Sequence, residues 1–204
     1  MNPTRIAVLI LAMVAALPAQ QQQRPSAAGS LSAQLNYLRE NAARQRPDPA
    51  PTVLSQADIN AYLAGGAVKL PSGVESLAVA LHAQQIIGSA KIDFDKVRTA
   101  GSDNNPFLSM FSGVHEVVVD AFAEGTDGKA LIRVNSASLD GIVLPRFALE
   151  LFVSKYVTPK HPNIGLDTRF TMPERISTAM VSEGRVTLVQ RKSDTGRQTP
   201  DGIF

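Results

Sequence analysis

The residues best suited to chemistry are the histidines at 82, 115 and 161 and the carboxylate pair Asp93-x-Asp95. A histidine beside a carboxylate can move protons, and clusters of both can hold a metal. None of the three histidines stands at a ligand spacing. His82 lies in an alternating segment, His115 opens another, and His161 sits in the proline-rich run TPKHPN. Asp93 and Asp95 fall on one face of an extended segment, which suits a solvated sheet surface better than an acid/base pair. No G-x-S-x-G elbow, phosphate-binding glycine loop or dinucleotide fingerprint is present. There is no cysteine, hence no disulfide, thiolate nucleophile or zinc–thiolate site. The expectation is a chain that catalyses nothing and uses no metal or cofactor.

The elements around these residues are mostly strands. Leu77, Val79 and Leu81 share a face of 75–82, as do Ile86, Ala90, Ile92 and Phe94 of 84–96. Val117, Val119, Ala121 and Ala123 do the same in 115–124, opposite Glu116, Asp120 and Glu124, with Val118 and Phe122 making the second face mixed. Asp127-Gly128 and Asp140-Gly141 are two-residue hairpin turn signals flanking a strand over 129–139. A final hairpin, 176–181 and 185–191, turns at Glu183-Gly184. One apolar and one polar face per strand predicts a mostly antiparallel sheet. Two helices precede it. Leu31, Leu35, Leu38 and Ala42 recur at helical spacing before the prolines of RPDPAP, predicting a helix to about Gln45 that docks on the domain or on a partner or membrane surface. Ser55 and Asp58 cap a second helix with Ile59, Tyr62 and Leu63 on its apolar face, stopped by Gly65-Gly66.

Pro145 then opens a third helix, RFALELFVSKYV, whose residues Leu149, Phe152, Val153 and Tyr156 align on one face. Its apolar girth exceeds a narrow stripe. The long connection 99–113 is apolar in its second half, with Phe107, Leu108, Met110 and Phe111. These eight residues are the candidate ligand-binding set, lining an apolar cleft between sheet and helix in which an acyl chain would fit. The predicted fold is α+β: a strongly curved, mostly antiparallel sheet wrapped around the helix after Pro145, with a second helix near the domain start.

The whole chain has 204 residues, 44% hydrophobic and 5% aromatic, enough for one domain with a sizeable core. The net charge of +2, one less when Arg5 leaves with a leader, is too small to argue for nucleic acid. Arg5, the apolar run Ile6–Leu17 and Ala19 predict a signal peptide over 1–19, with an uncleaved anchor as the alternative because Leu17 stands where a small residue is preferred. The predicted organisation continues with a polar linker and short helix over 20–51, a domain over 52–192 and a flexible tail over 193–204. The destination is the periplasm or the exterior of a bacterium.

Residues 52–191 carry a further pattern: TVLSQADINAYL, paired strands on either side of a long loop, SASLDGIVLPRFALELFV, and the closing MVSEGRVTLVQ. This order resembles the exported lipid-binding domains of the YpmS-like and LmeA-like type, relatives of the tubular lipid-binding (TULIP) proteins. The resemblance implies a bent sheet around a helix, an apolar groove holding lipid, and sequestration as the activity. It carries over to the helix after Pro145 and the sheet face beside it; the mixed face of 115–124 departs from a uniformly apolar groove. The partner implied is a lipid or apolar small molecule; the 31–45 helix and the 99–113 connection add the expectation of a peripheral membrane contact. The competing expectation is an assembly module of the cell envelope with a filled core and a protein partner.

Overall fold

Two aspartate–glycine pairs set the frame of the sheet. Asp127 and Gly128 adopt φ of 52° and 78°, and Asp140 and Gly141 adopt 49° and 78°. These left-handed pairs make the tight turns that reverse a twisted strand. A computed structural model describes residues 31–66, 68–100, 112–154, 158 and 163–191, with backbone alone at 98–100 and 152. In order, these form α1 (Leu31–Ala43), β1 (Thr52–Ser55), α2 (Gln56–Ala64), β2 (Val74–His82), β3 (Gln85–Asp93), α3 (Phe94–Ala100), β4 (Val114–Thr126), β5 (Lys129–Leu139), β6 (Ile142–Val143), α4 (Arg146–Phe152), β7 (Asp167–Thr171), β8 (Ile176–Ser182) and β9 (Arg185–Gln190). The leader, the polar linker of 20–30 and the tail lie outside the described residues.

The nine strands make one large antiparallel sheet that does not close into a barrel. β4 is its spine, pairing with β5 along one edge and β3 along the other. β3 reaches only to Phe122, and beyond it Glu124 and Gly125 of β4 pair with Met180 and Ala179 of β8. Gly125 is required there, because a Cβ would come within 2.8 Å of Met172 Sδ. β5 carries two further partners: β6 at Ser138–Leu139 and β7 at Lys129–Arg133. The β2 edge is covered by α2 in place of a strand. Asn60 donates to the Val79 carbonyl and accepts from its N–H, and Gln56 accepts from Leu81 N–H. Side chains thereby satisfy a backbone edge that would otherwise invite another chain.

The core lies between the sheet and the first two helices. Leu31 and Leu38 of α1 are buried with Leu54, Met172, Ile176 and Leu188. Leu63 of α2 is buried with Leu77, Ala90, Ile92 and Val97, and Leu81, Ala123 and Val181 form a third cluster. Ile59 of α2 packs against all three. The predicted cap holds: Ser55 Oγ accepts from Asp58 N–H at 3.1 Å and donates to its carboxylate at 2.6 Å.

α1 is also fastened by polar groups. Asn41, 0% exposed, donates to Gln190 Oε1 at 2.7 Å and to the Asp48 carbonyl at 2.8 Å, and accepts from Asp48 N–H at 2.8 Å. Gln190 in turn donates to the carbonyls of Leu38 and Glu174. Arg175 donates to the carbonyls of Ala42 and Arg44, satisfying groups that a helix end leaves without partners.

The buried clusters are built on α1, α2, α3 and the strands, and α4 leaves Phe147 65% and Leu151 66% exposed. One expectation needs correction: Asp93 and Asp95 do not share a strand face. β3 ends at Asp93, whose carboxylate accepts from the N–H groups of Asp95 and Lys96 and so caps α3.

Candidate functional site

α4 and the β5–β6 hairpin before it form an arm of unusual composition. Proline cannot donate to a ladder and its φ suits a helix start, so Pro145 ends β6 and opens α4. Within ten residues the arm exposes Ile142 at 71%, Val143 at 67%, Phe147 at 65% and Leu151 at 66%. Four large apolar side chains in one exposed stretch differ from the isolated surface leucines of ordinary domains.

The helix divides its residues by the i, i+4 rule. Phe147 and Leu151 point outward, while Leu149 and Val153 are half-buried. Arg146 and Glu150 pair with each other at 3.1 Å, and Arg146 approaches Asp167 of β7 at 3.7 Å. Asp167 also receives Arg133 at 3.0 Å. Beside these groups is an open pocket of about 270 Å³, lined by Arg146, Glu150, Val153, Ser154, Thr158, Leu166 and Asp167. It is slightly smaller than the roughly 300–1,000 Å³ typical of small-molecule sites, and its rim is charged. Such a lining suits a polar group, whereas the outward face of α4 suits an apolar one.

Of the eight residues proposed from sequence, Leu149 and Val153 are therefore placed on the body side of α4, with Val153 in the pocket wall. Phe152 closes the helix and is described by backbone alone. Phe107, Leu108, Met110, Phe111 and Tyr156 lie outside the described residues. The exposed members of the arm were not in that set. Phe147 and Leu151 carried a signal in the excess apolar girth of the helix, and Ile142 and Val143 in being apolar directly after a turn.

Among the described residues, the nearest approach to a catalytic pair is at the base of the arm. His115 Nδ1 lies 2.6 Å from Asp140 Oδ2, and its Nε2 lies 3.0 Å from the Ser112 carbonyl oxygen. Phe94 meets the ring edge-on, with centroids 5.4 Å apart. The bond to Asp140 raises the His115 pKa above its usual value, against the opposing effect of desolvation. The Asp140 pKa is lowered, first by His115 and then by the Glu116 N–H. With both ring nitrogens engaged, this His–Asp pair is arranged to hold structure; a general base needs a lone pair directed at substrate. His82 faces Glu183 at 3.0 Å on the exposed surface. Among the described residues no group of three or more His, Asp or Glu is placed to hold a metal, and no helix is long and apolar enough to cross a membrane.

No family model matches this chain, and neither a curated protein nor a solved structure is significantly similar to it.

Proposed function

We propose that this chain is a non-catalytic domain of the bacterial envelope that binds a lipid or another apolar ligand along α4 and the β5–β6 hairpin. The observation that carries this is the exposure of Ile142, Val143, Phe147 and Leu151 in a single arm. The charged pocket on the other side of α4 supports an amphiphile: an apolar chain on Phe147 and Leu151, a polar end near Arg146 and Ser154. In this proposal the sheet curves strongly toward α4, as the TULIP resemblance implies, and the apolar segment 106–111 supplies the rest of the ligand surface. The leader exports the chain, and peripheral membrane contact delivers the ligand. The activity is sequestration.

The test is lipid extraction and mass spectrometry of the purified protein, together with thermal melting in added phospholipid or fatty acid. Bound lipid is expected, as is a raised Tm; ligand at a hundred times its Kd would stabilise the fold by about 2.7 kcal/mol. Absence of both would sink the proposal. A second reading, an envelope assembly module, is favoured by the filling of the sheet by α1 and α2. It predicts no bound lipid and a protein partner whose crosslinking is lost when Phe147 and Leu151 are replaced by Asp.

A further inference from the structure

The ring of His115 faces two acceptors, the Asp140 carboxylate at 2.6 Å and the Ser112 carbonyl at 3.0 Å. A neutral imidazole has one N–H and can satisfy one of them; an imidazolium satisfies both. The other Asp140 oxygen accepts from Glu116 N–H at 2.8 Å, and Asp140 N–H donates to the Glu116 carbonyl at 2.8 Å. Asp140 itself is held at φ 49°, a conformation rare outside glycine, in the turn that launches the arm. One charged pair thus ties the entry of β4 to the root of the exposed apolar arm.

We infer that His115 and Asp140 form a proton-operated clasp on the arm 140–151. Charged His115 holds the Asp140–Gly141 turn, and with it β6 and α4, against the sheet; neutral His115 loosens them. The inference adds regulation to the surface proposed above to meet an apolar ligand, and rests on that reading only for its effect on binding.

The surrounding charges favour the closed form. Asp140 faces the ring from the turn. Asp95 of α3 stands on the same side and holds Gly113 N–H at 2.9 Å. Lys96 of α3 is tied to Glu75 at 2.9 Å and to Asp93 at 3.0 Å. Glu116 of β4 and Lys91 of β3 lie opposite one another, on the strand face away from His115. The pKa shifts give the window. His115 is raised above 6.5, so its contribution is complete below 6.5 and lost as pH rises through the folded value. Asp140 is lowered below 3.8, so its contribution is complete above 3.8 and lost as pH falls through its folded value. The clasp is closed between the folded values of Asp140 and His115 and opens as pH rises through that of His115.

The test is ring ¹⁵N NMR of the full chain from about pH 5 to 9, across the range where histidine titrates. His115 is expected to titrate above 6.5, with the amides of Asp140, Gly141 and Ile142 following the same midpoint. Amide exchange at Leu144, corrected for its intrinsic pH dependence, should rise several-fold through that midpoint. In Asp140→Asn the midpoint should fall toward 6.5. A wild-type midpoint at or below 6.5, or arm amides that ignore it, overturns the clasp even if the variant fails to fold. Binding to phosphatidylcholine vesicles, whose headgroup charge is constant over this range, should be several-fold tighter at a pH below the measured ring midpoint than at one above it. Equal binding at both, unchanged in His115→Gln, overturns the regulation but leaves lipid binding standing. No binding at either pH sinks the lipid reading, and the ring titration still decides the clasp.

Discussion

α1 and α4 invert the usual relation between composition and burial. α1, LSAQLNYLRENAA, is largely polar, yet it buries Leu31, Leu38 and Asn41. α4, RFALELF, is mostly apolar, yet it leaves Phe147 and Leu151 in solvent. What separates them is the surface each one meets. α1 lies over Leu54, Ile176 and Leu188, and its backbone receives Gln190 from β9 and Arg175 from the turn before β8. Among the described residues, α4 is joined to the body through the half-buried Leu149 and Val153 and the ion pair from Arg146 to Asp167. Burial follows from a complementary partner surface with its polar groups satisfied, and apolar content alone does not supply one. The apolar face of α4 therefore remains available to something outside the described fold.

The largest test of this contrast is in the core. Leu38→Ala should cost about 3 kcal/mol in urea unfolding, through lost burial and the cavity left behind. Leu151→Ala on α4 should cost about 0.5 kcal/mol or less. Similar losses at the two positions would break the comparison. Next is the polar lock. Asn41→Ala leaves Gln190 Oε1 without its partner in a buried site and removes the two part-buried bonds to the Asp48 backbone. An unfolding loss of about 2 kcal/mol is expected, because orphaned buried groups retain their desolvation penalty. A change below about 0.5 kcal/mol would mean that the leucines alone hold α1 in place.

Much of the sheet was visible in the sequence because its period and its turn residues agree. The strand faces of Leu77, Val79 and Leu81 and of Ile86, Ala90 and Ile92 are the faces that pack, and Asp127-Gly128 and Asp140-Gly141 are the turns. Ser55 and Asp58 announced their cap by spacing. What was missed depends on contacts distant in sequence. Asn41 meets Gln190 across 149 positions, and no local pattern marks that pair. Asp95 looked like a strand residue because alternation continues through Phe94, whereas the Asp93 carboxylate ends the strand by capping the next helix. β7, Asp167–Thr171, follows a run of loop residues and owes its pairing to β5. The candidate site was visible as an excess of apolar girth after Pro145. Which of its side chains remain outside depends on contacts distant in sequence, such as that of Arg146 with Asp167.

The smallest expected effect on stability is the most informative about function. Phe147→Asp with Leu151→Asp places two charges on side chains that already face water, 65% and 66% exposed. They break no core contact, so Tm should hold and the unfolding free energy should change by about 0.5 kcal/mol or less. Binding of phosphatidylcholine vesicles should be abolished, because a carboxylate cannot enter an apolar environment without a large desolvation penalty. Leu149→Asp, on the half-buried side of the same helix, should instead lower stability and weaken binding together. If the outward pair destabilises the fold as much as Leu149→Asp does, α4 is packed on both sides and the contrast with α1 disappears. If the pair leaves both stability and vesicle binding intact, the arm is not where an apolar ligand meets this protein.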